Sequence, residues 1–315
     1  MKVLISGNLG YLGPLVTRKF KDMGCSTVGV DTGWYLPTFD TADSIDHMPD
    51  HQIFADIRGV NVAAVAGNVQ SVVHLAGLSN DPMSEIDESA TRRINILGTI
   101  RLIEAFPNAR HVIASSASVY GATDPNKVSS EDDAPNPLTA YATAKYRIDS
   151  YMMDADNTPD AYDWVALRFG TLWGWSPNIR RDIVANAFCW QAAKNREIAP
   201  AQNARRPMLH VQDAADMIYA AATMPIASGI VNCAAENLTV LEIAEKVARA
   251  TESSLVPCPE SNVDSRDYWM DTTKMLATIG AGHDFVTLDN QRMIDHRSEE
   301  HTSELQSRFG ISYAV

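Results

Sequence analysis

The chain has little positive charge, few cysteines and no long apolar run. Its 315 residues contain 26 Lys and Arg against 39 Asp and Glu, a formal net charge of −13, which argues against a nucleic-acid surface. The four cysteines lack CxxC spacing, which favours reduced thiols over a disulfide framework or a zinc site. No apolar run approaches the roughly 18 residues that a membrane span needs. Met1 leads directly into an apolar segment, so we expect no signal peptide and a cytoplasmic location. From the charge, the cysteine spacing and the lack of a long apolar run, we expect no nucleic-acid, membrane or metal partner.

What the chain does have, at its start, is a glycine-rich turn between an apolar strand and a helix. Val3, Leu4 and Ile5 form a short apolar run between Lys2 and Ser6, and Gly7, Gly10 and Gly13 follow at intervals of three. Apolar residues at helical spacing then continue to Gly24, which stops the helix. Glycines at this spacing let the backbone turn tightly, approach a pyrophosphate and pack the helix on the strand. The pattern therefore predicts a dinucleotide-binding turn.

A carboxylate marks the end of the next predicted strand, 27–30, where Asp31 follows directly. At this position a carboxylate accepts hydrogen bonds from the hydroxyls of an adenosine ribose. The residues after it, Thr-Gly-Trp-Tyr, include no Arg or Lys that would neutralise the 2'-phosphate of NADP. Asp31 therefore favours NAD as the cofactor.

Three residues far apart in sequence predict hydride-transfer chemistry on a hydroxyl: Ser116, Tyr141 and Lys145. Residues four apart lie on one face of a helix, so Lys145 lies beside Tyr141 if 139–155 is helical, as its apolar spacing indicates. A nearby ammonium favours the phenolate and lowers the pKa of a tyrosine from its free value of about 10. Tyr141 is then a usable base, with Ser116 across the cleft.

The order of elements predicts an α/β fold, a doubly wound parallel sheet with a smaller, discontinuous C-terminal substrate-binding domain. Predicted strands are 51–56, 71–75, 111–115, 164–168, 208–211 and 230–233. Predicted helices are 60–66, 89–106, 139–155, 182–194, 213–223 and 240–250, the last opened by a capping box of Thr239 and Glu242. We assign 1–168 plus about 208–235 to the NAD-binding domain, and about 169–207 plus 236–296 to the substrate-binding domain.

The last segment, 297–315, reads as a non-native tail, because it closely resembles the translation of a short-read sequencing adapter. Its removal changes the formal net charge only from −13 to −12. We expect residues beyond Arg297 to pack poorly, and the natural C-terminus after about His296 to be missing.

On these residues, the segment from residue 1 to about residue 295 resembles the extended short-chain dehydrogenase/reductase family, in its nucleotide-sugar epimerase and dehydratase branch. The matching motifs, in order, are the glycine turn, Asp56-Ile57-Arg58, His74-Leu75-Ala76-Gly77, Asn95-x-x-Gly98-Thr99, Ser115-Ser116-Ala117-Ser118-Val119-Tyr120-Gly121, Tyr141-x-x-x-Lys145, Arg206-Pro-Met-Leu-His210 and Arg266-Asp-Tyr268. The resemblance implies a homodimer, formed by pairing the helices of 89–106 and 140–155 into a four-helix bundle.

The resemblance also implies a role for each matching position. Cofactor-binding residues would be Gly7, Gly10, Tyr11, Leu12, Gly13, Asp31, Asp56, Ile57, Leu75, Ala76, Gly77, Asn95, Tyr141 and Lys145. Substrate-binding residues would be Ser79, Ser116, Asn186, Arg206 and Arg266, the last three against a diphosphate. For the loop that carries Ser79, a purely structural turn started by Asn-Asp-Pro is an equal alternative.

The reaction type follows from where the chain departs from the family pattern. Nucleotide-sugar dehydratases carry an acid and a base where this chain has Ala117 and Ser118, neither of which moves protons as a carboxyl group does. Epimerisation of a nucleotide sugar at C4, through a transient keto intermediate, is therefore the leading prediction. Two alternatives stay open: an NAD-dependent dehydrogenase or reductase of a nucleotide sugar or another small hydroxyl compound, and a catalytically inactive NAD-binding regulatory protein.

Overall fold

A computed structural model describes residues 1–36, 45–59, 61–79, 81–124, 126–156, 161–195, 197–201, 203–257 and 266–289. The predicted tail, 297–315, lies outside these residues, and so does Cys258. The other three cysteines are free thiols. No helix in the described ranges is long and apolar enough to cross a membrane.

The strands follow one another along the chain with short and long connections. They are β1 (Lys2–Ser6), β2 (Ser26–Asp31), β3 (His51–Phe54), β4 (Ser71–His74), β5 (Arg110–Ser116), β6 (Val128–Ser129), β7 (Asp163–Phe169), β8 (Thr171–Trp173), β9 (Glu197–Ile198), β10 (Arg205–His210), β11 (Gly229–Cys233), β12 (Glu236–Thr239), β13 (Ser254–Leu255) and β14 (Trp269–Met270).

Helices alternate with these strands. They are α1 (Gly13–Asp22), α2 (Val62–Ala66), α3 (Asp81–Ile86), α4 (Glu88–Thr91), α5 (Thr99–Ala105), α6 (Ala140–Ala155), α7 (Val184–Asn195), α8 (Val211–Thr223), α9 (Val240–Thr251) and α10 (Thr273–Ala277). A π-helical segment, Arg92–Gly98, joins α4 to α5 without a break, and two 3₁₀ turns span Ile45–His47 and Ala117–Tyr120.

The central sheet confirms the predicted doubly wound fold. Seven parallel strands lie in the order β11-β7-β5-β4-β1-β2-β3. The chain adds β2 and β3 on one side of β1, then returns to add β4, β5, β7 and β11 on the other. The order reverses between β1 and β4, and in such sheets ligands bind at the carboxyl ends of the strands beside that point.

Both faces of the sheet are covered, so its strands are nearly continuous apolar runs. Side chains alternate between the faces along a strand. On β1, Val3 and Ile5 pack in the core formed with α1 and α8. Leu4, between them, packs in a second core with residues of α2 and α5. The buried core therefore holds the site-bearing strand ends rigidly from both sides.

A smaller part of the molecule lies over the carboxyl ends of the sheet. Strands β8, β10 and β12 form a three-stranded sheet, and α7 and α9 pack on each other in a separate apolar core that includes Phe188 and Ile243. The predicted capping box of Thr239 and Glu242 opens α9 and is confirmed. Strand β10 begins at Arg205, three residues earlier than predicted, and belongs to this small sheet. The domain boundary at about 208 stays a prediction.

Two local features differ from the sequence prediction. The helix predicted at 89–106 begins at Glu88, ends at Ala105 and contains a π-helical segment. Asp81 and Pro82, which the sequence places in either a substrate-contacting loop or a structural turn, instead begin the short helix α3. The π-helical segment carries Asn95, whose side chain bonds the backbone of Leu78, the residue before Ser79.

Candidate active site

A cavity of about 1110 Å³ opens at the carboxyl ends of the central strands, beside the reversal point between β1 and β4. Its walls include these predicted cofactor residues: Gly7, Gly10, Tyr11, Leu12, Gly13, Asp31, Asp56, Ile57, Leu75, Ala76, Gly77, Tyr141 and Lys145. They also include these predicted substrate residues: Ser79, Ser116, Arg206 and Arg266. The structure thus gathers into one place residues that lie up to 259 positions apart in sequence.

The glycine turn forms the floor of the cavity where α1 begins. Gly7 has a φ of +75°, and a Cβ there would lie 2.6 Å from the amide nitrogen of Ala76. A Cβ on Gly13 would lie 2.4 Å from the carbonyl oxygen of Gly7. Only glycine fits either position, because the Cβ of any other residue would collide with backbone atoms where β1, β4 and α1 meet. The turn leaves the backbone and the helix N-terminus accessible to a phosphate.

Two carboxylates, those of Asp31 and Asp56, also line the cavity. Asp31, at the end of β2, accepts hydrogen bonds from the amides of Leu9 (3.1 Å) and Gly33 (2.8 Å), one on each oxygen. A carboxylate has about four lone-pair sites, so Asp31 retains capacity for ribose hydroxyls. Asp56 forms a two-pronged ion pair with Arg58, whose hydrogen bonds hold the pKa of that carboxyl below its usual value.

Ser116, Tyr141 and Lys145 meet in the same cavity. Helix α6 begins one residue before Tyr141, where the side chain of Thr139 caps it by accepting a hydrogen bond from the amide of Ala142. The ammonium of Lys145 lies 5.7 Å from the centre of the Tyr141 ring, as the four-residue spacing requires. A cation therefore lies beside the phenol.

A hydrogen bond to the backbone fixes the Lys145 side chain in the cavity wall. Its Nζ donates a 2.6 Å hydrogen bond to the carbonyl oxygen of Ala114 on β5. Burial lowers the pKa of Lys145 to about 8, although the carboxylate of Asp149, one turn further along α6, opposes the shift. With a pKa of about 8 the ammonium form still predominates by about tenfold at pH 7.

The Ser116 hydroxyl is fixed by its own turn. It accepts a hydrogen bond from the amide of Ser118 (3.2 Å), and the two hydroxyl oxygens are 2.9 Å apart. Ser118 also lines the cavity, whereas Ala117 is buried in an apolar cluster. At the positions where dehydratases carry an acid and a base, this chain therefore presents one hydroxyl and one core methyl group.

Asn95 and Asn186 lie behind the cavity wall and support it. The Asn95 amide accepts from the backbone N–H of Leu78 and donates to its carbonyl oxygen, which fixes the loop that leads to Ser79. The Asn186 amide donates to the hydroxyl of Tyr11 (3.1 Å) and to the carbonyl oxygen of Arg180 (2.8 Å). Both N–H groups of Asn186 are thus engaged, and a contact with a diphosphate, as predicted, needs one of these bonds to break.

Arg206 and Arg266 adjoin each other in the wall of the cavity. Arg206 is 8% exposed and donates hydrogen bonds to the carbonyl oxygens of Arg205 (2.8 Å) and Arg266 (2.5 Å). Both guanidinium-bearing residues line the cavity, which suits a diphosphate. Their contact with a substrate stays a prediction.

Sequence reasoning missed the segment that overhangs the cavity between β8 and α7. Arg180, Arg181 and Asp182 all line the cavity. The Arg180 guanidinium pairs with Asp182 and donates to the carbonyl oxygen of Ser79 (3.1 Å). The Arg-Arg-Asp run is visible in the sequence, but nothing local indicates that it folds back over residues a hundred positions earlier.

A potential ligand cluster lies elsewhere, outside the cavity. Among the described residues, Asp213, Asp216 and His283 bring one ligand atom each within 4.8 Å of the others. His283 Nε2 lies 2.9 Å from Asp213, and the ammonium of Lys19 lies 2.7 Å from Asp216. These contacts engage both carboxylates within the protein, one with a histidine ring nitrogen and the other with an ammonium, and we interpret the cluster as structural.

Comparison with known proteins places the chain in a family. A sequence profile of the NAD dependent epimerase/dehydratase family matches residues 3–234. The UDP-glucose 4-epimerase of Mycolicibacterium smegmatis is 29% identical over 161 residues, 48% of this chain and 50% of that protein. The methionine adenosyltransferase 2 subunit beta of Mus musculus is 25% identical over 218 residues, 69% of this chain and 60% of that protein. The alignments with the first curated relatives span about half of their length.

Among solved structures, MoeE5 in complex with UDP-glucuronic acid and NAD is similar over 93% of this chain and 97% of that chain. Its TM-score is 0.76 and its sequence identity 26%. Because the family profile matches most of its length, the chain belongs to the NAD dependent epimerase/dehydratase family.

Proposed function

We propose that this protein is an NAD-dependent epimerase that inverts C4 of a nucleotide sugar through a transient keto intermediate. The observation that carries the proposal is the joint lining of one cavity by the glycine turn and by Ser116, Tyr141 and Lys145. A dinucleotide turn, a fixed cation, a phenol and a hydroxyl are the parts that reversible oxidation of an alcohol requires.

The residues present fit NAD. The space that a Cβ on Gly7 or Gly13 would fill supports close approach of a pyrophosphate to the backbone. Asp31 would accept from the adenosine ribose, and the residues beside it, Thr32 and Trp34, carry no positive charge for a 2'-phosphate. When bound, NAD supplies a hydride acceptor and returns the hydride later in the same turnover.

The chain's own groups handle the proton. Tyr141 as phenolate removes the proton from the C4 hydroxyl, which Ser116 also binds, and the Lys145 ammonium stabilises the phenolate. The 4-keto sugar then turns about its diphosphate link and presents its other face. Tyr141 returns the proton as the hydride returns to C4, so that the configuration is inverted.

The lining of the cavity supports epimerisation over dehydration. Elimination of water needs a carboxyl pair after the active-site serine, and here Ala117 is in an apolar core while Ser118 bears only a hydroxyl. A hydroxyl at neutral pH is a weak acid and a weaker base, so it does not replace that pair.

The experiment that tests the proposal is turnover of UDP, dTDP, GDP and CDP sugars with NAD, with product configuration read by NMR and absorbance at 340 nm recorded in parallel. We expect an inverted C4 without net NADH. NADH accumulating in proportion to product would replace this proposal with the dehydrogenase alternative. A smaller stabilisation of the protein by NADP than by NAD is the expected cofactor control.

A non-catalytic role is favoured by one observation, the similarity over 69% of this chain to a protein named as a subunit of another enzyme. The same experiment separates it from catalysis. Stabilisation by NAD without turnover of any sugar would favour the regulatory role.

We further propose a cytoplasmic homodimer. The predicted pairing surface comprises the helices of 89–106 and 140–155, and each carries an exposed apolar side chain, Leu97 (42% exposed) and Met153 (40%). Exposed apolar side chains on adjacent helices suit an interface.

A further inference from the structure

The connection between β8 and α7, residues 174–182, is bonded to the glycine turn, and the mechanism above gives it no task. We call this connection the strap. It begins at Gly174, where φ is +111° and a Cβ would overlap the ring of His210, so only glycine fits. The carbonyl oxygen of Gly174 accepts a 2.7 Å hydrogen bond from the hydroxyl of Tyr11, a residue of the glycine turn. The strap therefore starts at a fixed point beside the turn.

Two side chains of the strap bond the backbone of the turn. The hydroxyl of Ser176 donates to the carbonyl oxygen of Tyr11 (2.5 Å), and Nδ2 of Asn178 donates to the carbonyl oxygen of Leu9 (2.5 Å). Ser176 is 1% exposed and Asn178 is 8% exposed. In such buried surroundings, a carbonyl oxygen that loses its donor is costly to leave unpaired, so both bonds hold the strap and the turn together.

Asn178 also reaches a third segment of the chain. Its Nδ2 donates to the carbonyl oxygen of Tyr35 (3.2 Å), four residues beyond Asp31. The carboxylate of Asp31 in turn accepts a hydrogen bond from the amide of Leu9 (3.1 Å). A carboxamide has two N–H donors, and Asn178 directs them to two different segments. One side chain thus joins the strap to the glycine turn and to the chain that leaves β2.

The segments that Asn178 joins are those that fit NAD. The glycine turn suits the pyrophosphate and Asp31 suits the adenosine ribose, while Pro177, Asn178 and Ile179 of the strap line the same cavity. Pyrophosphate and ribose are covalently linked, so the spacing of the turn and Asp31 has to match a fixed length. A side chain that holds this spacing before the ligand binds lowers the cost of ordering the site.

We infer that Asn178 is a positioning residue for NAD, which slows release of the cofactor by joining the strap to the glycine turn and to the segment after Asp31. Ser176 contributes a smaller part of the same effect. The inference concerns retention of the cofactor and is the same for an epimerase and for a dehydrogenase. It therefore does not depend on the proposed reaction.

The test measures release of isotope-labelled NAD from the purified protein during a chase with excess unlabelled NAD. Asn178→Leu keeps the approximate size of the side chain and removes both donors. We expect release to be about 10- to 100-fold faster, because two hydrogen bonds are lost and two carbonyl oxygens are left unpaired. The Kd for NAD should rise by a similar factor, with an association rate within about threefold of the parent. Ser176→Ala should accelerate release by about 2- to 10-fold.

Asn237→Leu is the matched control for a purely structural role. The Asn237 side chain also bonds backbone, since it accepts from the amide of Met270 (3.0 Å) and donates to its carbonyl oxygen (2.9 Å). Among the described residues, Asn237 lies outside the wall of the cavity. Asn237→Leu should lower the thermal stability of the cofactor-free protein and keep the parental rate of NAD release. Release from Asn178→Leu within twofold of the parent, or an equal acceleration in Asn237→Leu, would overturn the inference.

The rate constants also separate positioning from gating. If release and association accelerate by the same factor and the Kd for NAD stays unchanged, Asn178 only limits access to the cavity, and the positioning role is overturned. Should Asn178→Leu fail to fold, Ser176→Ala decides the question by the same criteria, and parental release from that variant would overturn the inference.

Discussion

Lys145 is a half-buried cation in the cavity wall, and its surroundings disfavour its charged form. Its pKa of about 8 lies below the ordinary value of 10.5, because burial disfavours the charged form. Between pH 8 and pH 10.5, Lys145 is protonated in the unfolded chain and largely unprotonated in the folded chain, so the free energy of unfolding increases as the pH rises. The destabilising contribution is present in full below about pH 8 and fades as the pH rises toward 10.5.

Lys145→Met should therefore abolish turnover and still stabilise the ligand-free protein. The expected gain in free energy of unfolding at pH 7 is about 2 kcal/mol. This is less than the whole pKa shift of Lys145 would give, because the variant also loses the hydrogen bond to the carbonyl oxygen of Ala114. Denaturant unfolding at pH 7 and pH 10 measures it, and the gain should shrink at pH 10. Lys127→Met, which removes an exposed ion pair, is the control with little effect. A Lys145→Met protein less stable than its parent at pH 7 would contradict this account.

The sequence identifies residues whose neighbours are local, and misses those whose partners are distant. Tyr141 and Lys145 are one helical turn apart, so their proximity follows from the spacing. The diphosphate contact of Asn186 stays a prediction, and its N–H groups here meet Tyr11 and Arg180, the first of which is 175 residues away. No local pattern encodes such a contact, since it depends on how two parts of the chain pack.

At the scale of elements, the turn between β1 and α1 is the most constrained segment of the site. Gly7→Ala should destabilise the protein by about 2–4 kcal/mol, since it combines a positive φ with a Cβ 2.6 Å from backbone. Thermal unfolding and NAD titration measure both consequences, and NAD binding should fall with stability. Gly59→Ala, where a Cβ meets nothing within 4 Å, is the matched control. Equal stability of the two variants would refute the close packing of the turn.

A buried ion pair joins α6 to the neighbouring strand β7. Arg168 Nε lies 2.9 Å from Asp149, both side chains are almost fully buried, and Arg168 also donates to the hydroxyl of Tyr120 (3.0 Å). Burial raises the pKa of Asp149, although Arg168 opposes the shift. The pair sets the position of the helix that carries Tyr141 and Lys145.

Removing only Arg168 from the pair should destabilise the protein more than replacing both Arg168 and Asp149. Arg168→Met leaves a buried carboxylate unpaired and should lower the free energy of unfolding by about 3–5 kcal/mol. The double variant with Asp149→Leu should recover most of that loss, because no buried charge remains. A double-mutant cycle by urea unfolding measures the coupling, and simple additivity of the two losses would show that the pair is not coupled.

Element positions were largely predictable, but their irregularities were not. The strands at 2–6, 71–75 and 111–115 follow from short runs with apolar centres, because strands buried on both faces carry few polar side chains. The π-helical segment at Arg92–Gly98 has no such signature. It places Asn95 against Leu78 and Gly98 against Ile57, where a Cβ would lie 2.9 Å from the Ile57 Cδ1. Tertiary contacts of this kind select the irregular helix.

At the scale of the whole molecule, the predicted homodimer makes Leu97 a test position. Leu97→Glu puts a charge into the proposed interface and should convert dimer to monomer, since two copies of the charge meet across a two-fold axis. Sedimentation or light scattering over a range of concentrations measures the effect. Val65→Glu, at an exposed apolar position on α2 outside the proposed interface, should leave the assembly unchanged. A dimer that persists in Leu97→Glu would place the interface elsewhere.

The most direct test of the whole account is turnover by Tyr141→Phe, measured together with NAD binding. The variant loses one hydroxyl in a cavity that otherwise keeps its glycine turn, Ser116 and Lys145. We predict NAD affinity within a few-fold of the parent and turnover lower by about 10² to 10⁴, the usual contribution of a positioned proton-transfer group. Turnover within tenfold of the parent, with NAD still bound, would remove Tyr141 from the role of base and contradict the mechanism.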